Sequence, residues 1–464
     1  MTNRISAYVV THKKLLLIIT VFAAALALRF FLSLYNREAN DDHMEVVNWI
    51  LDKKEVPTKE DCWECSQPKF YYFVNAGLIR MMHLKAPVRR LIAAQMFNFF
   101  LGAGILLFAW GFIRNQTPSF RIRILAFSVV ALNPCLTGIN GQATNDTLEI
   151  LAGCAVIYFT DLYIRRLKPL LLTGLIISMI IACITKGSGL ILLLGVIVVL
   201  SVHLFILPRE KKKMLLLHSV IFAVALLSIV PFAGGYYANY KKYGNAFINN
   251  ISQKDPPPNF IEQTYLLRPG ITSIVHGYFT FRIIDMVKQP YITNGETDYP
   301  LHRTSLWSQM YGRTFFMHFD QFPGSWSTLN PKVLRVGKGL LLLGLFPLFI
   351  FLAGSASAIR RFFRAMFRRN AALLTEQLTW VHAAFVISGL LFILKYTYDY
   401  RDFATMKSIF LFPVLLSIIA LFIAGFEKVR SRPLGNIITV ALSILVVLSA
   451  IDVLYLINQL QKLA

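Results

Sequence analysis

Cysteines are scarce in this sequence of 464 residues, and five of them are too few for a disulfide scaffold. Cys135, Cys154 and Cys183 lie in apolar stretches, where we expect them to be small buried side chains. Cys62 and Cys65, in the segment CWEC, leave two alternatives: a local disulfide, which we favour, or half of a metal site. The cysteines therefore predict no covalent framework beyond this short segment.

The sequence also lacks a visible internal repeat or inverted symmetry. This absence counts against a secondary transporter, because such proteins are commonly built from repeats. Outside two long loops, no segment is large and polar enough to form a separate soluble domain. We therefore expect a single transmembrane domain over residues 1–464.

Long apolar runs are abundant: the hydrophobic content is 56% and the mean hydropathy is +0.57, values typical of a multi-span membrane protein. Because a span takes about 20 mostly apolar residues, the expected fold is all-α and polytopic, with about eleven transmembrane helices. The first apolar run lacks a small-residue cleavage site, and we expect it to be retained. The predicted spans are 15–35, 91–113, 122–138, 147–164, 169–185, 188–207, 214–237, 338–355, 378–395, 407–426 and 435–456.

Acidic residues are few, 24 against 47 lysines and arginines, which gives a net charge of +23. Such a charge is compatible with nucleic-acid binding, but the cations cluster in every second segment between spans. This is the positive-inside pattern, and it places the N-terminus and these segments in the cytoplasm, where they also attract anionic lipid headgroups. We expect no nucleic-acid partner. The clusters are Arg4/Lys13/Lys14, Arg114/Arg121/Arg123, Arg165/Arg166/Lys168, Arg209/Lys211/Lys212/Lys213, Arg360/Arg361/Arg364/Arg368/Arg369 and Lys428/Arg430/Arg432.

The alternation leaves two long loops on the opposite, external side. In the first, 36–90, apolar residues repeat at helical spacing, which predicts amphipathic helices along the membrane surface. The second, 238–337, is rich in aromatic residues, proline and glycine, and is too hydrophobic to be a disordered tail. We expect it to pack over the external ends of the spans as a lid or substrate loop. The shorter external segments are 139–146, the Lys186 turn, 396–406 and the C-terminal tail.

Five short elements with potential chemistry lie at the external ends of spans. The first is NDDHMEV (40–46), in which Asp41 and Asp42 are either helix caps or a carboxylate that accepts a proton from an acceptor hydroxyl. The second is CWECSQPKFYY (62–72), whose Tyr71 and Tyr72 could be simple interface anchors. The third is GQATNDTLEI (141–150), where Asp146 could belong to a helix cap.

The fourth and fifth elements carry cations. In ITKGSGL (184–190), Lys186 either snorkels to the interface or binds an anion such as phosphate at a broken helix. In YDYRDFATMKSIFLFP (398–413), Arg401 and Lys407 lie on the side where the positive-inside rule does not place cations, although interfacial anchoring competes as an explanation. The order and common side of the five elements are more informative than any one of them.

In this order the elements resemble those of GT-C glycosyltransferases, in particular the bacterial branch related to protein O-mannosyltransferases and to the aminoarabinose transferase of lipid A. The resemblance covers most of the chain. Two departures are Lys69, which replaces the usual second proline, and Lys407-Ser408-Ile409-Phe410, which replaces an "RY" element. The matching elements are Asp41-Asp42, the QPPLYY-like 67–72, Asn145-Asp146, the xTKxTG-like 185–189 and the R/K-x-Y-L-x-P-like 407–413.

The resemblance implies transfer of a sugar from a polyprenyl- or dolichyl-phosphate donor, with inversion, on the non-cytoplasmic face. The acceptor hydroxyl then belongs to a lipid, a protein or a polysaccharide. The expected catalytic carboxylates are Asp41 or Asp42, with Asp41 preferred because the family places its key aspartate first, and Asp146. Lys186, Arg401 and Lys407 are expected to neutralise the donor phosphate. His43, Tyr71 and Tyr72 are expected to contact substrate.

The resemblance implies no cofactor, but a divalent cation held by carboxylates stays open. Candidate ligands are Asp41, Asp42, Asp146 and Glu296 or Asp298. Two other functions compete with the enzyme: a transporter or flippase of a lipid-linked precursor, and a non-catalytic scaffold. The short loops favour a bacterial inner membrane with the site on its periplasmic side.

Overall fold

The computed structural model describes residues 2–248, 277–292, 301–321, 324–367, 374, 378–400, 406–431 and 433–464. These residues are almost entirely helical, and their only β-type pairing is an isolated bridge between Ile292 and Asp320. The α-helices are α1 (Thr2–Tyr35), α2 (His43–Asp52), α3 (Phe70–Met81), α4 (Pro87–Gln116), α5 (Phe120–Ala131), α6 (Pro134–Asn140), α7 (Asp146–Arg166), α8 (Pro169–Thr185), α9 (Leu190–Ile206), α10 (Arg209–Ala233), α11 (Tyr236–Tyr243), α12 (Ile283–Lys288), α13 (Leu306–Phe315), α14 (Pro331–Leu343), α15 (Leu345–Phe367), α16 (Thr379–Tyr400), α17 (Leu415–Glu427) and α18 (Pro433–Leu463).

Each of the eleven predicted spans falls on helices of the described chain, and nine of these segments are long and apolar enough to cross a membrane. The third predicted span is the pair α5 and α6, bent by 52°. Pro134 starts α6, where its missing N–H is not needed, and the Asn133 side chain caps the helix by accepting from the Leu136 amide at 2.9 Å. The fifth, α8, is apolar but only 17 residues long. The all-α polytopic fold is confirmed.

The basic segments meet at one end of the helical bundle. The hydroxyl of Thr117, after α4, donates to the carboxylate of Glu427 at the end of α17. The guanidinium of Arg121 donates to the Gly435 carbonyl at 2.8 Å and to the Asn436 side chain at 3.0 Å, at the start of α18. The basic segment after α4 and the basic segment between α17 and α18 are distant in sequence but lie side by side, as the alternation of spans requires.

The same basic end ties α7 to α16. Arg165 donates to both carboxylate oxygens of Asp161, each at 3.0 Å, and Nε2 of His382 lies 3.5 Å from Asp161 Oδ1. Asp161 and His382 are both about 1% exposed. A buried charge is costly unless it is paired. The contacts of Asp161 with Arg165 and His382 therefore hold α7 and α16 together at this end.

At the opposite end of the bundle, the residues after α1 are hydrogen-bonded to the second external loop, and this loop is hydrogen-bonded to α18. The Trp326 indole donates to Asn36 Oδ1 at 3.2 Å, and the Ser325 hydroxyl donates to Glu38. The Gln459 side chain near the end of α18 donates to the carbonyl of Ser325 at 2.9 Å. The described parts of 238–337 thus contact the first external loop. Residues 249–276, 293–300 and 322–323 of this segment lie outside the described structure, and its role as a lid stays a prediction.

An arginine inside the first span fixes the bend of the third. Arg29 is fully buried, and its Nε donates to Asn140 Oδ1 at 2.8 Å while its Nη1 donates to the Ala131 carbonyl at 2.7 Å. Ala131 ends α5, where the last carbonyls lack helical partners. A side chain at Gly102 of α4 would lie 2.7 Å from Asn140, so glycine is needed for this approach. The first, second and third predicted spans therefore meet next to the turn at 141–146, which follows α6.

The first external loop forms a small core of its own. The helices predicted in this loop are α2 and α3, and in α3 the buried face is that of Tyr71, Asn75 and Ile79. Met44 and Val47 pack in this core with Tyr71 and Ile79. The favoured alternative for Cys62 and Cys65 is also confirmed, because the two form a disulfide with a Cα–Cα distance of 5.0 Å. This core places the amino-terminal ends of α2 and α3 beside the start of α7.

Candidate functional site

The centre of the candidate site is an ion pair between Asp146 and Lys186. Asp146 is the first residue of α7, and Lys186 follows α8 with an extended backbone. Their side chains are 8% and 12% exposed. The chain can turn tightly after Lys186 because a side chain at Gly189 would lie 2.3 Å from the Ala182 carbonyl oxygen. The sequence ITKGSGL thus delivers one ammonium group to the start of α7.

The charges around Lys186 favour its ionised form. Burial lowers the pKa of Lys186, but the carboxylates of Asp146 and Glu149 outweigh burial and hold that pKa above its usual range. Lys186 also lies over the Phe410 ring, 5.4 Å from the ring centroid. The lysine is therefore held charged inside the protein and does not snorkel.

A chain of hydrogen bonds connects Asp146 to the first two elements. The Thr144 hydroxyl donates to Asp146 Oδ2 at 2.8 Å, and His43 Nε2 lies 3.1 Å from the same hydroxyl. His43 Nδ1 lies 2.8 Å from the Tyr72 hydroxyl. An ionised carboxylate only accepts, so with neutral His43 the donors run from Tyr72 to His43 to Thr144 to Asp146. Three elements that are far apart in sequence share one network.

Both acidic elements lie at the start of a helix, as the helix-cap alternative predicts, but neither cap residue makes a side-chain capping bond. Asn145 occupies the cap position of α7, but its side chain makes no capping bond and donates towards the Tyr72 hydroxyl at 3.4 Å. Asp42 occupies the cap position of α2, also without a capping bond. Asp41 and Asp42 are exposed. Asp41 lies within electrostatic range of Tyr72, so the acidic turn borders the network.

The interface-anchor interpretation of Tyr71 and Tyr72 is wrong. The two side chains are 1% and 0% exposed, and their rings meet edge to face with centroids 5.5 Å apart. Burial raises the pKa of both hydroxyls above the usual range. Both hydroxyls therefore stay protonated. Tyr72 takes part in the network directly, whereas Tyr71 supports it from the core of the first loop.

The fifth element reaches the site through Phe410. Lys407 precedes the 3-10 segment Ser408–Val414, and the Ser408 hydroxyl lies 3.6 Å from Cys135 Sγ. Cys135 is within electrostatic range of Lys407, Arg313 and Asp146. Arg401 lies outside the described residues. Of the three predicted cations, Lys186 is central and Lys407 is near.

Known proteins add a likeness in fold. No protein-family model matches the chain, and no curated protein matches it. Its helices partly follow those of two solved proteins.

One is the oligosaccharyltransferase of Archaeoglobus fulgidus in complex with zinc and sulfate, at 12% identity and a TM-score of 0.47, with 93% of this chain and 53% of that chain covered. Another is ArnT from Cupriavidus metallidurans bound to undecaprenyl phosphate, at 15% identity and a TM-score of 0.39, with 90% and 79% covered. The chain thus spans about half the length of the oligosaccharyltransferase.

Sequence reasoning missed three residues of the site. Thr144 was missed because a single threonine has no distinctive sequence pattern. Glu149 was visible in principle, since a residue three positions after Asp146 shares its helix face. Arg313 lies in α13, 7% exposed, with Nη2 3.0 Å from Asp320 Oδ2. Nothing in the sequence indicates that this loop arginine comes close to Cys135.

The described residues contain no group of three or more histidine, cysteine, aspartate or glutamate side chains arranged to hold a metal ion. Glu296 and Asp298, two of the candidate ligands, lie outside the described residues. The chemistry that the described side chains offer is a buried ammonium beside a carboxylate, bordered by exposed carboxylates. Such a site can bind an anion and accept a proton.

Proposed function

We propose that this protein is an inverting glycosyltransferase that moves a sugar from a polyprenyl-phosphate donor to an acceptor hydroxyl. One observation carries the proposal: the buried Asp146–Lys186 pair is joined by hydrogen bonds to the Asp41-Asp42-His43 turn. The resemblance of the five sequence elements to those of GT-C enzymes supports it. Carboxylates and cations are thus gathered at the bundle end opposite the basic segments.

The cations account for donor binding. The leaving group of a polyprenyl-phosphate sugar is a phosphate, which needs neutralisation of charge more than it needs a general acid. An ammonium group has three donors, so Lys186 can keep Asp146 and still bind a phosphate oxygen. Lys407 directly precedes the segment that carries Phe410, under Lys186, and is the second candidate for the donor phosphate, while the prenyl chain remains in the bilayer.

The carboxylates account for activation of the acceptor. Asp41 or Asp42 orients or deprotonates the acceptor hydroxyl, and Asp41 is the preferred base. Both are exposed and can meet a substrate, whereas Asp146 is buried and orients Lys186. Attack from the side opposite the phosphate inverts the sugar carbon.

The positive-inside rule puts the reaction on the non-cytoplasmic face. Basic residues gather at the end of the bundle where Thr117 meets Glu427, and the site lies at the other end. We assign the protein to a bacterial inner membrane with a periplasmic site. The acceptor is a lipid, a protein or a polysaccharide.

The proposal is tested by mass spectrometry of glycolipids and glycoproteins from a deletion strain complemented with variants. The wild-type chain should restore a sugar modification that D41N or D42N fails to restore. A matched control is D52N, which removes an exposed carboxylate of the same loop that pairs with Arg90 at 3.0 Å. Normal transfer by both single variants and by the double variant would refute the mechanism. Transfer by purified protein in detergent would exclude pure transport, since no compartments exist there.

A further inference from the structure

The basic end of the bundle brings three cationic segments that are far apart in sequence to one surface, which we call the cationic junction. The segments are the turn between α4 and α5, the end of α15 and the turn between α17 and α18. Their described residues include eight lysines and arginines but one carboxylate, that of Glu427. The cations are Arg114, Arg121, Arg123, Arg360, Arg361, Arg364, Lys428 and Arg430.

Hydrogen bonds hold the first and third of these segments together around Glu427. The hydroxyl of Thr117 donates to the Glu427 carboxylate, and Nη1 of Arg430 lies 2.9 Å from the same carboxylate. Arg123 Nε donates to the Thr117 carbonyl at 2.6 Å. Glu427 is therefore already engaged from two sides, and its single charge offsets at most one of the eight positive charges.

The end of α15 joins this surface because α15 crosses α17 in backbone contact. A side chain at Gly354 would collide with a carbonyl of α17, and a side chain at Gly425 would collide with a carbonyl of α15. The crossing lies two residues before Glu427, where α17 ends. Helix α15 continues from Gly354 to Phe367, which is about 20 Å at the rise of an α-helix. Its last turns therefore pass the turn between α17 and α18.

Lys428 agrees with this placement. Partial burial lowers the pKa of Lys428, and the positive charges of Arg361 and Arg360 lower it further. Like charges that are held near one another repel, so the junction favours an anion that lies between them.

The end of α15 also exposes aromatic side chains beside its arginines. Phe363 and Phe367 lie one turn apart and are 53% and 85% exposed. Arg360 and Arg364 are exposed on the same turns. An aromatic stripe bordered by cations at the end of a span suits the boundary between acyl chains and phosphates. A soluble polyanion would use the charges but not the stripe.

We propose that the cationic junction binds an anionic phospholipid of the adjacent leaflet, with its phosphate among Arg360, Arg364 and Lys428 and its acyl chains along Phe363 and Phe367. The lipid bridges α15 and the turn between α17 and α18, and it relieves the repulsion between them. General attraction of basic loops to a membrane needs no such gathering of charge, whereas this site depends on the fold. The site lies at the opposite end of the bundle from Lys186 and does not rest on the proposed function.

Lipid binding is measured on the purified full chain in an uncharged detergent. Phosphatidylglycerol or zwitterionic phosphatidylcholine is titrated in, and bound lipid is counted by native mass spectrometry to give an apparent Kd. The wild-type chain should bind phosphatidylglycerol more tightly. One cation near an anionic headgroup contributes about fivefold in affinity, so R360Q/R364Q should raise the Kd for phosphatidylglycerol about 25-fold. K428Q, on the neighbouring turn, should raise it about fivefold.

Three further variants separate a specific site from general charge effects. R360K/R364K keeps both charges and should retain most of the affinity. K211Q/K213Q removes two exposed cations from the basic segment at the start of α10 and should keep the wild-type Kd. F363A/F367A should weaken binding of phosphatidylglycerol, because the acyl chains lose their contact.

Four results would overturn the proposal. The first is equal affinity of the wild-type chain for the two lipids, and the second is a wild-type Kd for both R360Q/R364Q and K428Q. The third is an equal loss in K211Q/K213Q, which would mean general attraction to the membrane. The fourth is an unchanged Kd in F363A/F367A with full competition by glycerol phosphate, which would identify a site for soluble anions.

Discussion

The hydroxyl of Tyr72 lies 2.8 Å from Nδ1 of His43 and joins the start of α3 to the start of α2. His43 is 3% exposed and bonds on its other nitrogen to Thr144 at 3.1 Å. One imidazole therefore bridges the two elements of the first loop and the start of α7. The bridge makes Tyr72 and the acidic turn two parts of one network.

Replacing Tyr72 by phenylalanine should weaken both stability and transfer. Y72F leaves a buried nitrogen of His43 without a partner, at a cost of about 1–3 kcal/mol in the free energy of unfolding. It also frees the His43 ring and, through Thr144, the Asp146 carboxylate. Thermal unfolding in detergent and sugar transfer by the same preparation measure the two effects.

A matched control is Y311F. Tyr311 is 5% exposed, and its hydroxyl donates to the Leu341 carbonyl at 2.6 Å, outside the network. This variant should lose similar stability while keeping transfer per folded molecule. Equal loss of transfer in the two variants would mean that the network has no role beyond stability.

The spans and the alternation of basic connections could be predicted because both signals are local. Apolar length marks each crossing, and the cation clusters mark every second connection. The bend at Asn133 was missed, although Pro134 is visible, because hydropathy runs smoothly across it. Burial of Tyr71 was missed for a different reason. The sequence of the first external loop indicates a segment at the membrane interface. Its packing into a separate core depends on contacts between α2, α3 and the disulfide segment, which a local pattern does not show.

Breaking the Asp146–Lys186 pair should be costly in a non-additive way. D146N and K186M should each lower the free energy of unfolding by about 3–5 kcal/mol, because each leaves one buried charge uncompensated. The double variant should lose clearly less than the sum of the two. Chemical or thermal unfolding of the four proteins completes the cycle.

The exposed pair of Lys242 and Glu60 provides the control cycle. These side chains are 53% and 51% exposed, with Nζ 3.3 Å from Oε2. Because solvent screens such an exposed pair, its coupling should be much smaller than that of the buried pair. If the two cycles gave the same coupling energy, the buried pair would have no special place in the site.

The Cys62–Cys65 disulfide should contribute modestly to stability. It closes a short loop, with a sequence separation of 3, and chain entropy then predicts a contribution of about 2 kcal/mol. Cys65 packs with Tyr72 in the first-loop core, so loss of the disulfide should loosen the packing beside the candidate site. Unfolding with and without dithiothreitol measures it. A variant with both cysteines replaced by serine should not respond to the reductant, and a response would point to another disulfide.

Lys69 should make stability depend on alkaline pH. Its ammonium donates to the carbonyls of Cys65 and Gln67, and burial lowers its pKa from the ordinary 10.5 to about 8. Between these two values the unfolded chain binds more protons than the folded one. The free energy of unfolding should therefore rise as the pH increases through this window.

The variant K69M should lack this component of the pH dependence. The comparison is made by thermal unfolding at a series of pH values. K85M, at an exposed position of the same loop, is the control and should follow the wild-type curve. An identical pH profile for K69M and the wild-type chain would contradict the burial effect.

The buried Arg29 links assembly of the site to the order of synthesis. An arginine in an isolated span costs up to about 3 kcal/mol on insertion scales. Its partners on Ala131 and Asn140 come 102 and 111 positions later in the chain. The first helix therefore stays incomplete until the bent third span has entered the bilayer. Because Asn140 directly precedes the turn that ends at Asp146, entry of the third span both pairs Arg29 and sets the position of this turn relative to the membrane.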